Sequence, residues 1–320
     1  MEDTFVEFSD NLLLAELCGE FDRNLSAIET HLSMQIIRRG NQLVLIGDAA
    51  TRERAQQVLE NLYTRLQGGR PVSPADVDAE LRMSQGPVTP DGQLDMFRGG
   101  TVEIKTRKKL VEPRTDAQRA YVKSLYANEL AFGIGPAGTG KTYLAVAVGV
   151  SMYISGLVDK IILSRPAVEA GERLGFLPGD MKDKVDPYMQ PLYDALNDFL
   201  PAKQMQKLIE EKTIEIAPLA FMRGRTLANA FVVLDEAQNA TSMQMKMFLT
   251  RLGEGSRMVI TGDRSQIDLP RGVMSGLRDA ERLLKTIPNI SFNYFTSKDV
   301  VRHPLVAAII DAYEKDAETP

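Results

Sequence analysis

The residues best suited to chemistry form a glycine-rich loop at positions 135–142, which reads GPAGTGKT. The run fits the pattern G-x-x-x-x-G-K-[ST], in which glycines let consecutive backbone N–H groups converge on phosphate oxygens because no Cβ intervenes. In such a loop the ammonium group of Lys141 reaches the β- and γ-phosphates, and the hydroxyl of Thr142 ligates Mg²⁺. The pattern predicts a nucleotide site made of Gly135, Pro136, Ala137, Gly138, Thr139, Gly140, Lys141 and Thr142.

A second reactive group is the acidic pair Asp235-Glu236, which ends the apolar run in FVVLDEAQN. At the end of a buried strand, Asp235 is placed to enter the shell of a Mg²⁺ ion, and Glu236 is placed to polarise an attacking water. Taken alone, paired acids at a strand end also suit a helix-capping turn. Beside a phosphate loop the catalytic interpretation is favoured, and it predicts that the bound nucleotide is hydrolysed.

Two glutamines extend this set. Gln266, in TGDRSQ after the next apolar run, is placed to hydrogen-bond the γ-phosphate or the attacking water and to report hydrolysis to the surface behind it. Gln118 precedes the phosphate loop in EPRTDAQ. Its amide offers a donor and an acceptor together, which suits the N6/N7 edge of adenine.

The elements that must position these groups follow from an alternation of short apolar runs with helical patterns after about residue 110. Such runs, rich in β-branched and aromatic residues, are typical of buried parallel strands. Their alternation with helices predicts an α/β fold with a mostly parallel, doubly wound sheet. The six runs are LAFGIG, KIILS, TIEIA, FVVLD, RMVITGD and ISFNYF.

The remaining chain predicts a small α+β domain at residues 1–70, a linker at 71–104 and the nucleotide-binding domain at 105–320. The first domain reads β-α-α-β-β-α, with Gly40-Asn41 as a hairpin turn and Asp48 as the cap of its last helix. A short helix is expected inside the linker, at PADVDAELR.

Composition narrows the class of protein. The 320 residues carry a net charge of −5 and one cysteine, Cys18, so an intrachain disulfide is excluded. The two histidines, His31 and His303, make a zinc site built by the protein very improbable. No apolar run approaches the roughly 20 residues of a membrane span, and no signal-peptide core is visible, so we expect a cytoplasmic protein without a membrane partner.

The negative net charge means that any nucleic acid must bind through a local basic patch. KTRKKLVEPR, at residues 105–114, is the candidate, and a solvated linker is the alternative interpretation.

Four stretches in this order, TDAQ, GPAGTGKT, LDEAQN and TGDRSQ, resemble the motor core of superfamily-one helicases. Two longer ones, LSRPAVEAGERLGFLPGDMKDKVDPYMQPLYDAL and RGRTLANAFVVLDEAQNAT, are similar to the PhoH family of bacterial P-loop ATPases. The resemblance implies a RecA-like core that uses ATP with Mg²⁺, and a cytoplasmic role linked to RNA. The family takes its name from phosphate starvation, and members resembling this chain are associated with an endoribonuclease of ribosomal RNA maturation.

Residues 1–70 resemble the KH-like domain that precedes this core. KH domains hold single-stranded RNA with a GXXG loop between two helices. The matching stretch is CGEFDRN, which keeps Gly19 but has Asp22 in place of the second glycine. The carboxylates of Glu20 and Asp22 oppose phosphate binding, so the resemblance leaves RNA binding by this loop open.

The chain has room for one RecA-like lobe, whereas helicases of this class close two lobes on one ATP. A neighbouring subunit would then supply the arginine that reaches the γ-phosphate, and a hexameric ring would present it. Our candidate is Arg302, before the C-terminal helical pattern. The alternatives are Arg271, Arg165 and Arg173, and for each of them a surface ion pair is the plainer interpretation.

Two functions remain open from the sequence. The first is an ATP-hydrolysing motor or remodeller that acts on single-stranded RNA, favoured by Glu236 and Gln266. The second is a nucleotide-gated adaptor that docks an endoribonuclease and hydrolyses ATP slowly, favoured by the single lobe and the altered loop at Asp22. A small-molecule kinase fits poorly, because nothing in the motifs calls for a lid or an acceptor site.

Overall fold

The computed structural model describes residues 4–84, 102–166, 181–270 and 272–301, with only the backbone described at 181–187. Contacts divide the chain into two units, Met1–Gly99 and Gly100–Pro320. Among the described residues, no helix has both the length and the apolar character needed to cross a bilayer.

The first unit has the predicted β-α-α-β-β-α order, followed by one more helix. The elements are β1 Thr4–Glu7, α1 Asn11–Cys18, α2 Arg23–Leu32, β2 Gln35–Arg39, β3 Gln42–Ile46, α3 Ala49–Gln67 and α4 Pro74–Met83. The three strands form an antiparallel sheet in the order β1-β3-β2, and the hairpin between β2 and β3 pairs Arg39 with Gln42 around the expected turn.

Helix α3 forms where the sequence places it. The carboxylate of Asp48 accepts a hydrogen bond from the N–H group of Thr51 at 2.9 Å, which satisfies one of the free donors at the helix start. The helix then buries one apolar face against the sheet and the neighbouring helices. The buried side chains are those of Ala55, Val58, Leu59, Leu62, Tyr63 and Leu66.

Helix α4 lies within the segment 71–104 that the sequence marks as a linker. Ser73 and Asp76 form a reciprocal capping box at its start. Val77 and Leu81 are buried in the same apolar core as α1, α2 and α3. This part of the segment is therefore packed into the first unit, because its helical spacing supplies an apolar face that the sheet layer alone does not cover.

The second unit contains the nucleotide loop and a parallel sheet. The described strands are β4 Ile104–Lys105, β5 Leu110–Val111, β6 Leu130–Ile134, β7 Lys160–Arg165, β8 Ile214–Pro218, β9 Ala230–Leu234, β10 Arg257–Gly262 and β11 Ile290–Tyr294. Strands β4 and β5 form a separate antiparallel pair. The other six form the parallel sheet in the order β11-β6-β10-β9-β7-β8, and each neighbouring pair is parallel. The helices are α5 Asp116–Ala127, α6 Lys141–Ile154, α7 Met181–Phe199, α8 Ala202–Glu210, α9 Ser242–Leu249 and α10 Gly276–Leu284.

Helices cover both faces of this sheet, so the predicted doubly wound α/β fold is confirmed. Successive strand residues point to opposite faces. In β9, Phe231 and Val233 join a core with α5, α6 and α7. Val232 and Leu234 join a second core with α9 and α10. All six predicted runs are strands of this RecA-like sheet. The central strands β6, β9 and β10 are buried along almost their whole length, which demands continuously apolar sequences, whereas the edge strands β8 and β11 are only partly buried.

The strand order decides which motifs meet. Strand β10 lies between β6, which leads into the nucleotide loop, and β9, which leads into the acidic pair. Since the strands are parallel, the segments that follow β6, β10, β9 and β7 all leave the same edge of the sheet. Ligand sites in such sheets lie outside the carboxyl ends of the strands.

Candidate functional site

The loop 135–142 joins the end of β6 to the start of α6, and its backbone requires glycine. Gly138 and Gly140 have φ values of 81° and 79°, in the left-handed region that residues with a Cβ rarely adopt. A Cβ at Gly135 would lie 2.5 Å from the backbone oxygen of Phe295. The loop thus packs closely against the segment after β11, and its N–H groups, together with the N-terminus of α6, form a cradle suited to an anion.

Lys141 is the first residue of α6 and is buried in this cradle, with a relative exposure of 8%. Its ammonium group donates hydrogen bonds of 2.7 Å to the carbonyls of Gly135 and Pro136, and one of 3.4 Å to the hydroxyl of Thr139. A buried cation at a helix N-terminus opposes the helix dipole, so its natural counterion is a bound anion. The residues fit the phosphate chain of a nucleotide.

Thr142 and Asp235 are hydrogen-bonded to each other in the same cleft as Lys141. The hydroxyl of Thr142 donates to Oδ1 of Asp235 at 2.5 Å, and the hydroxyl of Thr261 donates to the same oxygen at 2.8 Å. Asp235 is 5% exposed. A hydroxyl and a carboxylate oxygen are hard ligands of the kind that Mg²⁺ takes together with substrate phosphates. The chemistry of this pair therefore fits a Mg²⁺ ion, and the role of both residues as its ligands stays a prediction.

Glu236 is held in a strained and well-defined position. Its backbone is left-handed, with φ 51° and ψ 38°, a conformation that costs a non-glycine residue on the order of 1–3 kcal/mol. Its Oε1 lies 2.9 Å from the guanidinium of Arg165, and its Oε2 accepts a 2.5 Å hydrogen bond from the amide of Gln238. Since the side chain remains 35% exposed, the carboxylate is both oriented and open to the cleft.

Gln238 is a site residue that the sequence analysis missed. It is 1% exposed, and while its Nε2 donates to Glu236, its Oε1 accepts from the N–H group of Asp263 at 2.9 Å. The amide therefore connects the acidic pair to the segment that carries Gln266. The only signal in the sequence is the Gln in DEAQN, and nothing along the chain indicates that its partner follows β10.

Replacement of Gln238 by alanine is expected to lower ATP turnover by about tenfold, because Glu236 loses one of the two contacts that orient it. The N–H group of Asp263 would also lose its buried partner, which costs about 1–3 kcal/mol of stability. Turnover and thermal unfolding are measured beside Gln206→Ala, which removes an exposed amide that donates to Glu210 at 3.1 Å. Equal turnover in the two variants would contradict the positioning role of Gln238.

Gln266 reaches the cleft from the segment after β10. Its side chain is exposed and lines the cleft together with the loop and the acidic pair. Asp263 stands at the base of this segment: its Oδ1 accepts from the N–H and hydroxyl groups of Ser265 at 2.9 Å and 2.6 Å. The cleft lining comprises Ala137, Gly138, Gly140, Lys141, Thr142, Tyr143, Asp235, Glu236, Gly262, Asp263 and Gln266.

Gln118 lies behind the loop. It is 4% exposed; its Nε2 donates to the carbonyl of Thr139 at 2.9 Å, and its Oε1 accepts from the N–H group of Arg114 at 2.6 Å. The amide thus supports the loop backbone directly, and its contact with adenine stays a prediction. Of the four arginines considered for the γ-phosphate, only Arg165 belongs to the described residues; Arg173, Arg271 and Arg302 lie outside them.

The loop between α1 and α2 of the first unit corresponds to the GXXG position. Gly19 has φ 75°, and the single turn Glu20–Asp22 that follows places Phe21 at φ 54° with 95% exposure. The carboxylate of Asp22 lies 3.8 Å from the guanidinium of Arg38. RNA binding by this loop stays a prediction.

Comparison with known proteins gives consistent matches along the chain. Residues 110–314 match the family model described as PhoH-like protein. The chain is 51% identical over 302 residues to a PhoH-like protein of Bacillus subtilis (strain 168), covering 93% of each chain. It is 49% identical over 307 residues to a PhoH-like protein of Mycobacterium tuberculosis (strain ATCC 25618 / H37Rv), covering 96% of this chain and 86% of that one. Over 202 residues it is 46% identical to Protein PhoH of Escherichia coli (strain K12), covering 62% and 57%.

Similarity to solved structures is much weaker. The SWI2/SNF2 ATPase core of Sulfolobus solfataricus, in complex with double-stranded DNA, gives a TM-score of 0.33 at 16% identity and covers 51% of this chain and 34% of that one. The Pif1 helicase from Candida albicans gives 0.35 at 14% identity and covers 62% and 42%. At these scores the likeness carries no argument about function.

Proposed function

The chain belongs to the family of PhoH-like proteins, and from that premise we propose that this P-loop, nucleotide-binding protein hydrolyses ATP with Mg²⁺ to act on RNA. One observation carries the proposal: a single cleft joins a phosphate cradle to a buried Thr–Asp pair and an oriented glutamate. Nucleotide binding alone would require the phosphate cradle but no glutamate oriented toward the cleft.

Nucleotide binding rests on the loop and on Lys141. The backbone N–H groups of residues 135–142 and the N-terminus of α6 receive the phosphates. The ammonium group of Lys141, which now donates to the carbonyls of Gly135 and Pro136, turns to the phosphate oxygens without leaving the cradle. Thr142 and Asp235 would hold Mg²⁺, which when bound would supply charge stabilisation to the phosphoryl oxygens.

Hydrolysis rests on Glu236. Its carboxylate accepts a proton from the water whose oxygen attacks the γ-phosphorus, and ADP leaves as the bond between the β–γ bridging oxygen and phosphorus breaks. Gln238 keeps the carboxylate aimed at the cleft. Gln266 hydrogen-bonds the γ-phosphate or the water, and the contact of Gln238 with Asp263 links the base to this segment.

Contact with RNA is supported by features that lie outside the nucleotide cleft. The β-α-α-β-β-α order of the first unit supports it, as does the exposure of Lys105 and Arg107 in the basic segment 105–114. Lys108 and Lys109 of that segment contact the end of α7 instead, where they donate to Asn197 at 2.6 Å and Asp198 at 2.8 Å. We further propose a hexameric ring, with Arg302 of each copy reaching the site of the next.

The test is ATP turnover by the purified protein, alone and with single-stranded RNA, single-stranded DNA or heparin. We expect RNA to stimulate turnover severalfold, and DNA and the plain polyanion to do so less. Lys141→Ala provides the blank. Slow turnover that is indifferent to all three polymers would contradict the RNA motor and favour a nucleotide-gated adaptor, for which an endoribonuclease is the proposed partner.

A further inference from the structure

Arg165 holds the acidic pair in the described structure. It is the last residue of β7, and β7 is the direct neighbour of β9. Its Nη2 lies 2.9 Å from Oε1 of Glu236, and its Nε lies 3.7 Å from Oδ2 of Asp235. The guanidinium therefore contacts both the carboxylate assigned to Mg²⁺ and the carboxylate assigned to the base.

Arg165 lies beside the two carboxylates that line the cleft at the phosphate loop. Its Nη1 donates to the backbone carbonyl of Tyr188 in α7 at 2.9 Å, which anchors one side of the guanidinium. The side chain is 20% exposed and lines a cleft together with Thr142, Asp235 and Glu236. The same three residues also line the cleft at the phosphate loop, so the two clefts adjoin at the acidic pair.

The ion pairs of Arg165 oppose the roles proposed for Asp235 and Glu236. While the guanidinium contacts both carboxylates, it competes with Mg²⁺ for Asp235 and with the attacking water for Glu236. A triphosphate brings further negative charge beside the same guanidinium, and the planar fork of arginine matches phosphate oxygens in two-point hydrogen bonds. ADP has no γ-phosphate and does not compete in this way.

We propose that Arg165 is a γ-phosphate-sensing residue: it pairs with Asp235 and Glu236 when no triphosphate is bound, and it donates to the γ-phosphate when ATP is bound. The transfer frees Glu236 for the attacking water and makes the site distinguish ATP from ADP. The inference rests on the proposed function and assigns to the chain itself an arginine that acts within one copy.

A second arginine offers a matched control. Arg225 is bound by Glu215 through two hydrogen bonds of 2.6 Å and 2.7 Å, and Glu215 lies on β8, at the edge of the sheet. Neither residue lines the cleft. Arg225→Met therefore removes a paired arginine of the same domain without touching the site.

The experiment compares the affinities of a non-hydrolysable ATP analogue and of ADP for the full chain and for Arg165→Met, Arg165→Lys and Arg225→Met. We expect Arg165→Met to weaken the analogue by about tenfold or more, as for loss of hydrogen bonds to a charged group, and ADP by less than about threefold. Arg165→Lys should be intermediate, because lysine keeps the charge without the fork. Arg225→Met should leave both affinities unchanged.

A second readout needs no nucleotide. Thermal unfolding of Arg165→Met, Glu236→Gln and the double variant should be non-additive, since both changes break the same contact. Glu236→Gln alone should tighten the ATP analogue, because the guanidinium is released toward the phosphate. Equal weakening of the analogue and ADP by Arg165→Met, or no weakening of either, would overturn the sensing role while leaving the proposed ATPase intact. Failure of the unaltered protein to bind either nucleotide would overturn both proposals.

Discussion

Replacement of Lys141 by alanine is expected to reduce ATP affinity by about 100-fold or more and to abolish measurable turnover. Lys141 is 8% exposed and already lies within the cradle, 2.7 Å from two loop carbonyls. Each hydrogen bond that its ammonium group makes to a charged phosphate contributes about 1.5–3 kcal/mol, and two such contacts account for the expected loss. Among the described residues that line the cleft at the phosphate loop, Lys141 is the cationic one; Arg165 lines the adjoining cleft and, without its own partners being released, stays paired with Asp235 and Glu236.

The measurement is the binding of a fluorescent ATP analogue, with circular dichroism to show that the variant is folded. Lys207→Ala is the matched control, because Lys207 is an exposed lysine of α8 that lies 3.7 Å from Glu211 in a surface ion pair. The control should bind as the unaltered protein does. A folded Lys141→Ala protein with unchanged affinity would mean that the loop is not the phosphate site.

Replacement of Glu236 by glutamine should leave ATP binding at least as tight as in the unaltered protein and slow turnover by at least about 100-fold, the scale of losing a general base. The amide has nearly the shape of the carboxylate, so its contact with Gln238 and the strained backbone at φ 51° are retained in large part. What is lost is the ability to accept a proton from water. The expected loss is therefore in the rate constant for hydrolysis rather than in affinity.

Single-turnover hydrolysis with enzyme in excess separates these two quantities. Glu215→Gln provides the comparison, because Glu215 is likewise paired with an arginine but lies outside the cleft. Its turnover should stay close to normal. Normal turnover in Glu236→Gln would remove the base assignment and leave Gln266 or a neighbouring subunit to orient the water.

Local sequence determined most of the fold and the centre of the site. The apolar runs from LAFGIG to ISFNYF specify the strands of the parallel sheet, and the glycines of 135–142 specify a backbone that only glycine adopts without strain. Lys141, Thr142, Asp235 and Glu236 are predictable because Asp235 and Glu236 directly follow a strand, and Lys141 and Thr142 begin the helix that the glycine-rich loop joins to a strand. Capping residues such as Asp48 act within one helical turn and are equally visible in the sequence.

Tertiary structure decided which of these residues work together. The insertion of β10 between β6 and β9 brings Gln238 onto the N–H group of Asp263, and the adjacency of β7 and β9 brings Arg165 onto both carboxylates. The same is true of Gln118, which supports the loop from α5, and of α4, which packs into the first unit. These contacts join positions far apart along the chain. They depend on strand order and on the burial of whole faces, and neither has a signature in the spacing of neighbouring residues.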